Sequence, residues 1–134
     1  MRRTIRRPYR GGLADPSAAS FNRLLHDYRR SASKRGHQFT LTEQQFKKLT
    51  KGHCYYCGCE PKTPILSKSG REPYYFNGVD RVNNDEGYTP SNSVTCCRWC
   101  NSFKSNFDHE VFLKHVVSIF LHQIKKLNFK RRVK

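Results

Sequence analysis

Apolar residues recur every three or four positions after Ser17: Phe21, Leu25 beside Leu24, Tyr28 and Ala32. That period predicts a helix with one buried stripe, running to about Arg35. Ser17 or Ser20 can cap its start, and Gly36 ends it. Gln38-Phe39-Thr40-Leu41 is a short extended stretch. A second helix opens at Thr42, with Gln45 at the capping-box position, Phe46 and Leu49 facing inward, and Gly52 as its stop. Gly58 to Pro73 is rich in Pro, Lys, Ser and Gly and reads as a loop. Tyr74 to Val82 reads as a strand, Asn83 to Gly87 as a polar turn, and Ser91 to Thr95 as the returning strand. A helix follows from about Cys97 to Asn106. Asp108 caps a last helix through Val111, Phe112, Val116, Ile119, Phe120, Ile124 and Leu127. No internal repeat is visible, and the mixture predicts a small α+β fold.

Composition narrows this picture. A chain of 134 residues has the size of one domain, and 36% hydrophobic residues predict a small core that favours a metal staple. The net charge of +16 is unevenly spread. Residues 1–36 carry ten Lys/Arg against Asp15 and Asp27, and residues 125–134 carry six with no acid, so the ends hold 14 of the 16 charges. A near-neutral middle between basic ends suggests a site served by extensions that grip nucleic acid. Arg29, Arg30, Lys34, Arg35, Lys130, Arg131 and Arg132 are the candidate phosphate contacts. A solvated basic face and solubilising tails are the plainer reading of the same residues. The longest apolar stretch, Val116–Leu121, is too short for a membrane span and is interrupted by Ser118. The Arg-rich start lacks the apolar core of a signal peptide, so an intracellular location is expected.

Six cysteines include two C-x-x-C knuckles, Cys54-Tyr55-Tyr56-Cys57 and Cys97-Arg98-Trp99-Cys100, 39 residues apart. Such paired knuckles predict a closed four-thiolate zinc site in a reducing compartment, structural rather than catalytic. Cys59 and Cys96 are left over and read as small buried residues. His53, directly before the first knuckle, reads as a surface histidine.

Four segments in order resemble the HNH, or ββα-metal, endonuclease superfamily, and specifically its zinc-knuckle type seen in phage recombination endonucleases. They are Cys54-Tyr55-Tyr56-Cys57-Gly58, Asn77-Gly78-Val79-Asp80-Arg81-Val82, Gly87-Tyr88-Thr89-Pro90-Ser91-Asn92, and Cys97-Arg98-Trp99-Cys100-Asn101-Ser102-Phe103-Lys104. The resemblance covers Cys54 to about Phe112, close to half the chain. It implies a zinc-stapled ββα-metal core over residues 37–112. A basic arm and helix (1–36) and a C-terminal helix with a basic tail (113–134) would flank it in one compact domain. It further implies that Asp80 and Asn101 hold a Mg(II)- or Mn(II)-like ion against a scissile phosphate. Asn92 would prop the loop, and Lys104 would touch phosphate. Hard cations take such oxygen donors, and the ion would stabilise the leaving oxygen.

The chain departs from the family at Arg81, where a histidine usually acts as general base. Arginine stays protonated and cannot take a proton, though it can clamp phosphate. One reading is an active DNA endonuclease with another activator of water: Tyr74, Tyr75, Tyr88, His53, His109 or the metal itself. The other is a catalytically degenerate nucleic-acid-binding protein, for example an RNA-binding subunit of a ribonucleoprotein. DNA is the expected partner before RNA. A third class, a zinc-ribbon DNA reader, would need Tyr55-Tyr56 or Arg98-Trp99 to face bases. The apolar last helix can serve the core or a dimer, and the sequence leaves the oligomeric state open.

Overall fold

Helix α1 (Ala18–Lys34) buries Phe21, Leu24, Leu25 and Ala32 along the stripe the spacing predicts. The structure is a computed structural model and describes residues 15–132, with side chains to residue 127. Ser17 occupies the N-cap position without a side-chain cap bond, because its hydroxyl is turned to Asp15. Ser20 is no cap either; it lies inside the helix, buried, and its Oγ donates to the Glu72 carbonyl. Gly36 ends the helix at φ +73°, and the His37 N–H closes back on the Ala32 carbonyl.

Helix α2 (Glu43–Lys51) starts with the predicted reciprocal capping box: Gln45 N–H donates to Thr42 Oγ1, and Thr42 N–H to Gln45 Oε1. Phe46, fully buried, meets Phe21, Tyr28 and Phe39 in tilted and edge-on contacts. Leu41, Tyr74, Val79 and Tyr88 complete this core.

Two features of the strand region differ from expectation. The loop read between Gly58 and Pro73 contains strand β1 (Thr63–Ile65), which pairs antiparallel with β2 (Tyr74–Phe76). Three residues with a central proline carry too little pattern to be seen, and proline suits such an edge strand. The single strand read from Tyr74 to Val82 is broken at Asn77. Beyond it, β3 (Gly78–Arg81) belongs to a second sheet with β4 (Ser93–Cys96), in the register Asp80↔Val94 and Arg81↔Ser93.

Asn77 makes the break. Its N–H donates to the Thr50 carbonyl at the end of α2, and its Nδ2 donates to the carbonyls of Gly52 and Cys59. One buried side chain thus ties α2, the first knuckle and the strand junction together. Helix α3 (Arg98–Lys104) begins at the second knuckle, and α4 (His109–Arg132) follows. Asp108 caps α4 through the N–H groups of Glu110 and Val111.

Asn77→Ala removes two buried hydrogen bonds and leaves the Gly52 carbonyl without a partner, while the Cys59 carbonyl keeps only the Cys54 N–H. It is expected to cost about 2–4 kcal/mol in denaturant unfolding. Asn77→Asp, isosteric but unable to donate, should not restore the loss.

Candidate metal and nucleic-acid site

Gly58 adopts φ +74°, which turns the chain back after the first knuckle. The Cys59 carbonyl then accepts from Cys54 N–H and Asn77 Nδ2, which holds Cys59 against the knuckle. The sulfurs of Cys54, Cys57, Cys59 and Cys97 consequently all lie within 4.8 Å of one another. Cys59, expected to be a small buried leftover, belongs to this group of four, and Cys100 borders it. Sequence spacing misses this because C-x-x-C counting ignores what a left-handed glycine does to the next cysteine. Cys100 stays close: its N–H donates to Cys97 Sγ at 3.4 Å. Burial, followed by hydrogen bonding to the Cys57 and Cys97 sulfurs, pushes its thiol upward. Cys96 is buried, as expected of a leftover, and its thiol is raised first by burial and then by Asp80.

The donor set fits a tetrahedral metal ion. Thiolates about 2.3 Å from zinc stand ~3.8 Å apart, and the Cys57 and Cys97 sulfurs are 3.7 Å apart. Burial raises the Cys54 thiol, but N–H groups of Cys97, Cys57 and Tyr56 aimed at its sulfur prevail and bring it down to about 6. Backbone donors of this kind stabilise a thiolate ready for a metal.

Strand alternation separates Asp80 from Arg81. Asp80 is buried toward the knuckle and α3. Its Oδ2 accepts from Tyr56 Oη at 2.8 Å and lies 3.3 Å from Lys104 Nζ. Tyr56 Oη is in turn 3.4 Å from His109 Nδ1, and its ring stands edge-on to Phe112. Burial, then the bond to Asp80, raises the Tyr56 phenol, so it stays protonated. Tyr56 escapes sequence reasoning because nothing local marks a knuckle residue as a partner for a strand 24 residues away.

Arg81 points the other way. One guanidinium nitrogen lies within 2.8 Å of the carbonyls of Asn84 and Glu86 and of His37 Nε2. The guanidinium also covers the Tyr88 ring. To accept this bond His37 must be neutral at Nε2; burial, then Arg81 and Arg35, lowers its pKa. The expectation that Arg81 clamps phosphate is corrected: its charge is spent bracing the turn. Lys104 is corrected likewise. Expected at a phosphate, it is fully buried, and its ammonium donates to the Arg81 carbonyl and Asn84 Oδ1 beside Asp80.

Asn92 is buried and binds the same turn, accepting from Asn83 N–H and donating to the carbonyls of Asn83 and Gly87. Asn101 is exposed on α3, three residues before Lys104 and so on the same helix face. Tyr74 and Tyr88 lie in the core, away from any water to be activated. Tyr75 and His53 are exposed, and His109 alone of the candidate bases joins the Asp80 network. Arg29, Arg30, Lys34 and Arg35 are all exposed; Arg29 stacks over Phe39, and Arg35 donates to Tyr88 Oη. Lys130, Arg131 and Arg132 lie outside the described side chains, and the basic arm over residues 1–12 lies outside the described residues. Among the described residues, no helix is long and apolar enough to cross a membrane.

No family model matches the sequence. Over 92 residues, 69% of the chain, it is 39% identical to the uncharacterized protein R423 of Acanthamoeba polyphaga mimivirus, and spans 15% of that protein's length. The fold aligns with the rare-cutting HNH restriction endonuclease PacI over 88% of this chain and 95% of the other, with a TM-score of 0.55 and 24% identity. The chain therefore has the α+β fold of an HNH nuclease, built around a cysteine cluster compatible with zinc.

Proposed function

We propose that the chain is a metal-dependent endonuclease that hydrolyses phosphodiester bonds in DNA. The observation that carries this reading is Asp80: a buried carboxylate on the hairpin, turned toward the helix that bears Asn101, inside an HNH fold. Asp80 and Asn101 are the oxygen donors that would hold a Mg(II) or Mn(II) ion. When bound, that ion supplies positive charge at the scissile phosphate and the departing 3′ oxygen. The cysteine cluster would hold zinc as a frame.

His109 is the base this reading favours. Tyr56 Oη donates its hydrogen bond to Asp80, so its oxygen is free to accept from His109 Nδ1–H. That tautomer leaves His109 Nε2 unprotonated and able to take a proton from water. The water oxygen then bonds to phosphorus, the bond to the 3′ oxygen breaks, and that oxygen is protonated by solvent. Exposed cations on α1, with the basic tail, would grip the backbone without reading sequence.

A second reading, a binding protein that no longer cuts, is favoured by Lys104. Its ammonium lies 3.3 Å from Asp80 and neutralises the carboxylate that a divalent ion needs.

Incubation of plasmid DNA with the chain and Mg(II) or Mn(II) separates the two. The endonuclease reading expects nicked or linear product. It also expects losses of about a hundredfold or more for Asp80→Asn and His109→Ala, with binding retained. Salt-sensitive binding with no product at any metal concentration establishes the second reading instead. Arg81→His should not raise the rate, because residue 81 faces the turn; it should lower stability.

Lys104→Met removes the buried charge and leaves Asp80 unpaired. It should destabilise the metal-free protein by about 3–5 kcal/mol and tighten divalent-ion binding, read by calorimetry. Unchanged ion affinity would mean that Lys104 does not compete for Asp80.

Elemental analysis should find about one zinc per chain. Cys54→Ser and Cys97→Ser should each lower the zinc content and unfold the knuckle region. Cys96→Ser should retain the metal, since its sulfur is turned to the Cys97 carbonyl.

A further inference from the structure

Helix α4 is 24 residues long, or about 36 Å. Of its described side chains only Phe112 is buried. Leu113, Val116, Val117, Phe120, Ile124 and Leu127 form a continuous stripe at three- and four-residue spacing, and they are 37% to 62% exposed. Ile119 and Leu121, which flank the stripe, are also half-exposed. A helix this apolar does not stay in water uncovered.

We propose that this stripe is the interface with a second copy of the chain, joined antiparallel across a twofold axis at Phe120. The area fits. A half-exposed phenylalanine offers on the order of 100 Å² and aliphatic residues somewhat less. The eight side chains therefore present roughly 700 Å², close to the ~800 Å² per partner of a standard interface. The stripe is self-complementary about its centre: Phe120 meets Phe120, Leu113 meets Leu127, and Val116 and Val117 meet the region of Ile124.

Charge selects the direction. Asp108 and Glu110 are the only acids after residue 105, and both lie at the start of the helix. Lys125 and Lys126 lie toward its other end, followed by Lys130-Arg131-Arg132. A parallel pair would set two cationic ends side by side. An antiparallel pair sets each against the acidic start of its partner. The same argument disfavours the chain's own first fourteen residues as the cover. They carry five arginines and no acid, with few apolar side chains to fill the stripe.

Sedimentation equilibrium of the full, zinc-loaded chain at micromolar concentration tests the proposal. The expected mass is twice the 15.8 kDa of one chain. Phe120→Asp should raise the dimer dissociation constant by about a hundredfold or more while the zinc content stays unchanged. Phe120→Cys should cross-link to itself on mild oxidation, and Leu113→Cys should cross-link to Leu127→Cys rather than to itself. A monomer throughout the micromolar range overturns the proposal, including a monomer in which removing residues 1–14 exposes α4 to hydrogen exchange. A dimer indifferent to Phe120→Asp overturns it too, since another face would then join the copies. None of these outcomes depends on whether the chain cuts DNA.

Discussion

The convergence of the two knuckles is the constraint on which the rest of this molecule depends. The apolar core is one-sided: Phe21, Leu24, Leu25, Phe46, Tyr74 and their neighbours come from α1, α2 and the adjoining strands. Helix α3 contributes none of them; its buried residue is Lys104. Oil-like burial therefore does not hold α3 in place. Sulfurs 3.7 Å apart and a buried ammonium do so. A polar contact of that kind is weak evidence of net stability, but losing one partner strands the other in low dielectric, which makes the arrangement specific.

The alternation of β3 then divides the chemistry into two halves. On one face Asp80 looks toward Tyr56, His109 and Lys104. On the other, Arg81 looks toward His37 and the turn of Asn84 and Glu86. Arg81, at the end of β3, and Asn92, just before β4, brace the same turn, so the loop between them is held by side chains rather than by length or composition. An arginine where a histidine was expected thus has a structural use. It saturates carbonyls that a neutral imidazole, with a single donor, would leave partly unpaired.

Much of the frame was legible in the chain itself. Helix α1 follows from its three- and four-residue spacing, and α2 from Thr42 and Gln45, because local hydrogen bonds and helical period are written in neighbouring residues. The hairpin and the closing helix were visible through Asn77-Gly78-Val79-Asp80 and the second knuckle. The short strand Thr63–Ile65 was not, since three residues with a proline carry no periodic signal. Nor was the break at Asn77, which depends on carbonyls of residues 50, 52 and 59 brought there by folding.

The sequence by itself determined the helices, the paired knuckles and the acidic position on the hairpin, because each rests on residues within a few places of one another. Tertiary structure alone decided that Cys59 joins the thiol cluster, that Lys104 is buried on Asp80, that Tyr56 links Asp80 to His109, and that Arg81 faces away. The reason is physical. A thiol, an ammonium and a guanidinium bring the same donor and acceptor atoms to any position in a sequence. What each does is set by which carbonyls, carboxylates and sulfurs the folded backbone places within about 3 Å of it, at separations in sequence that no local pattern records.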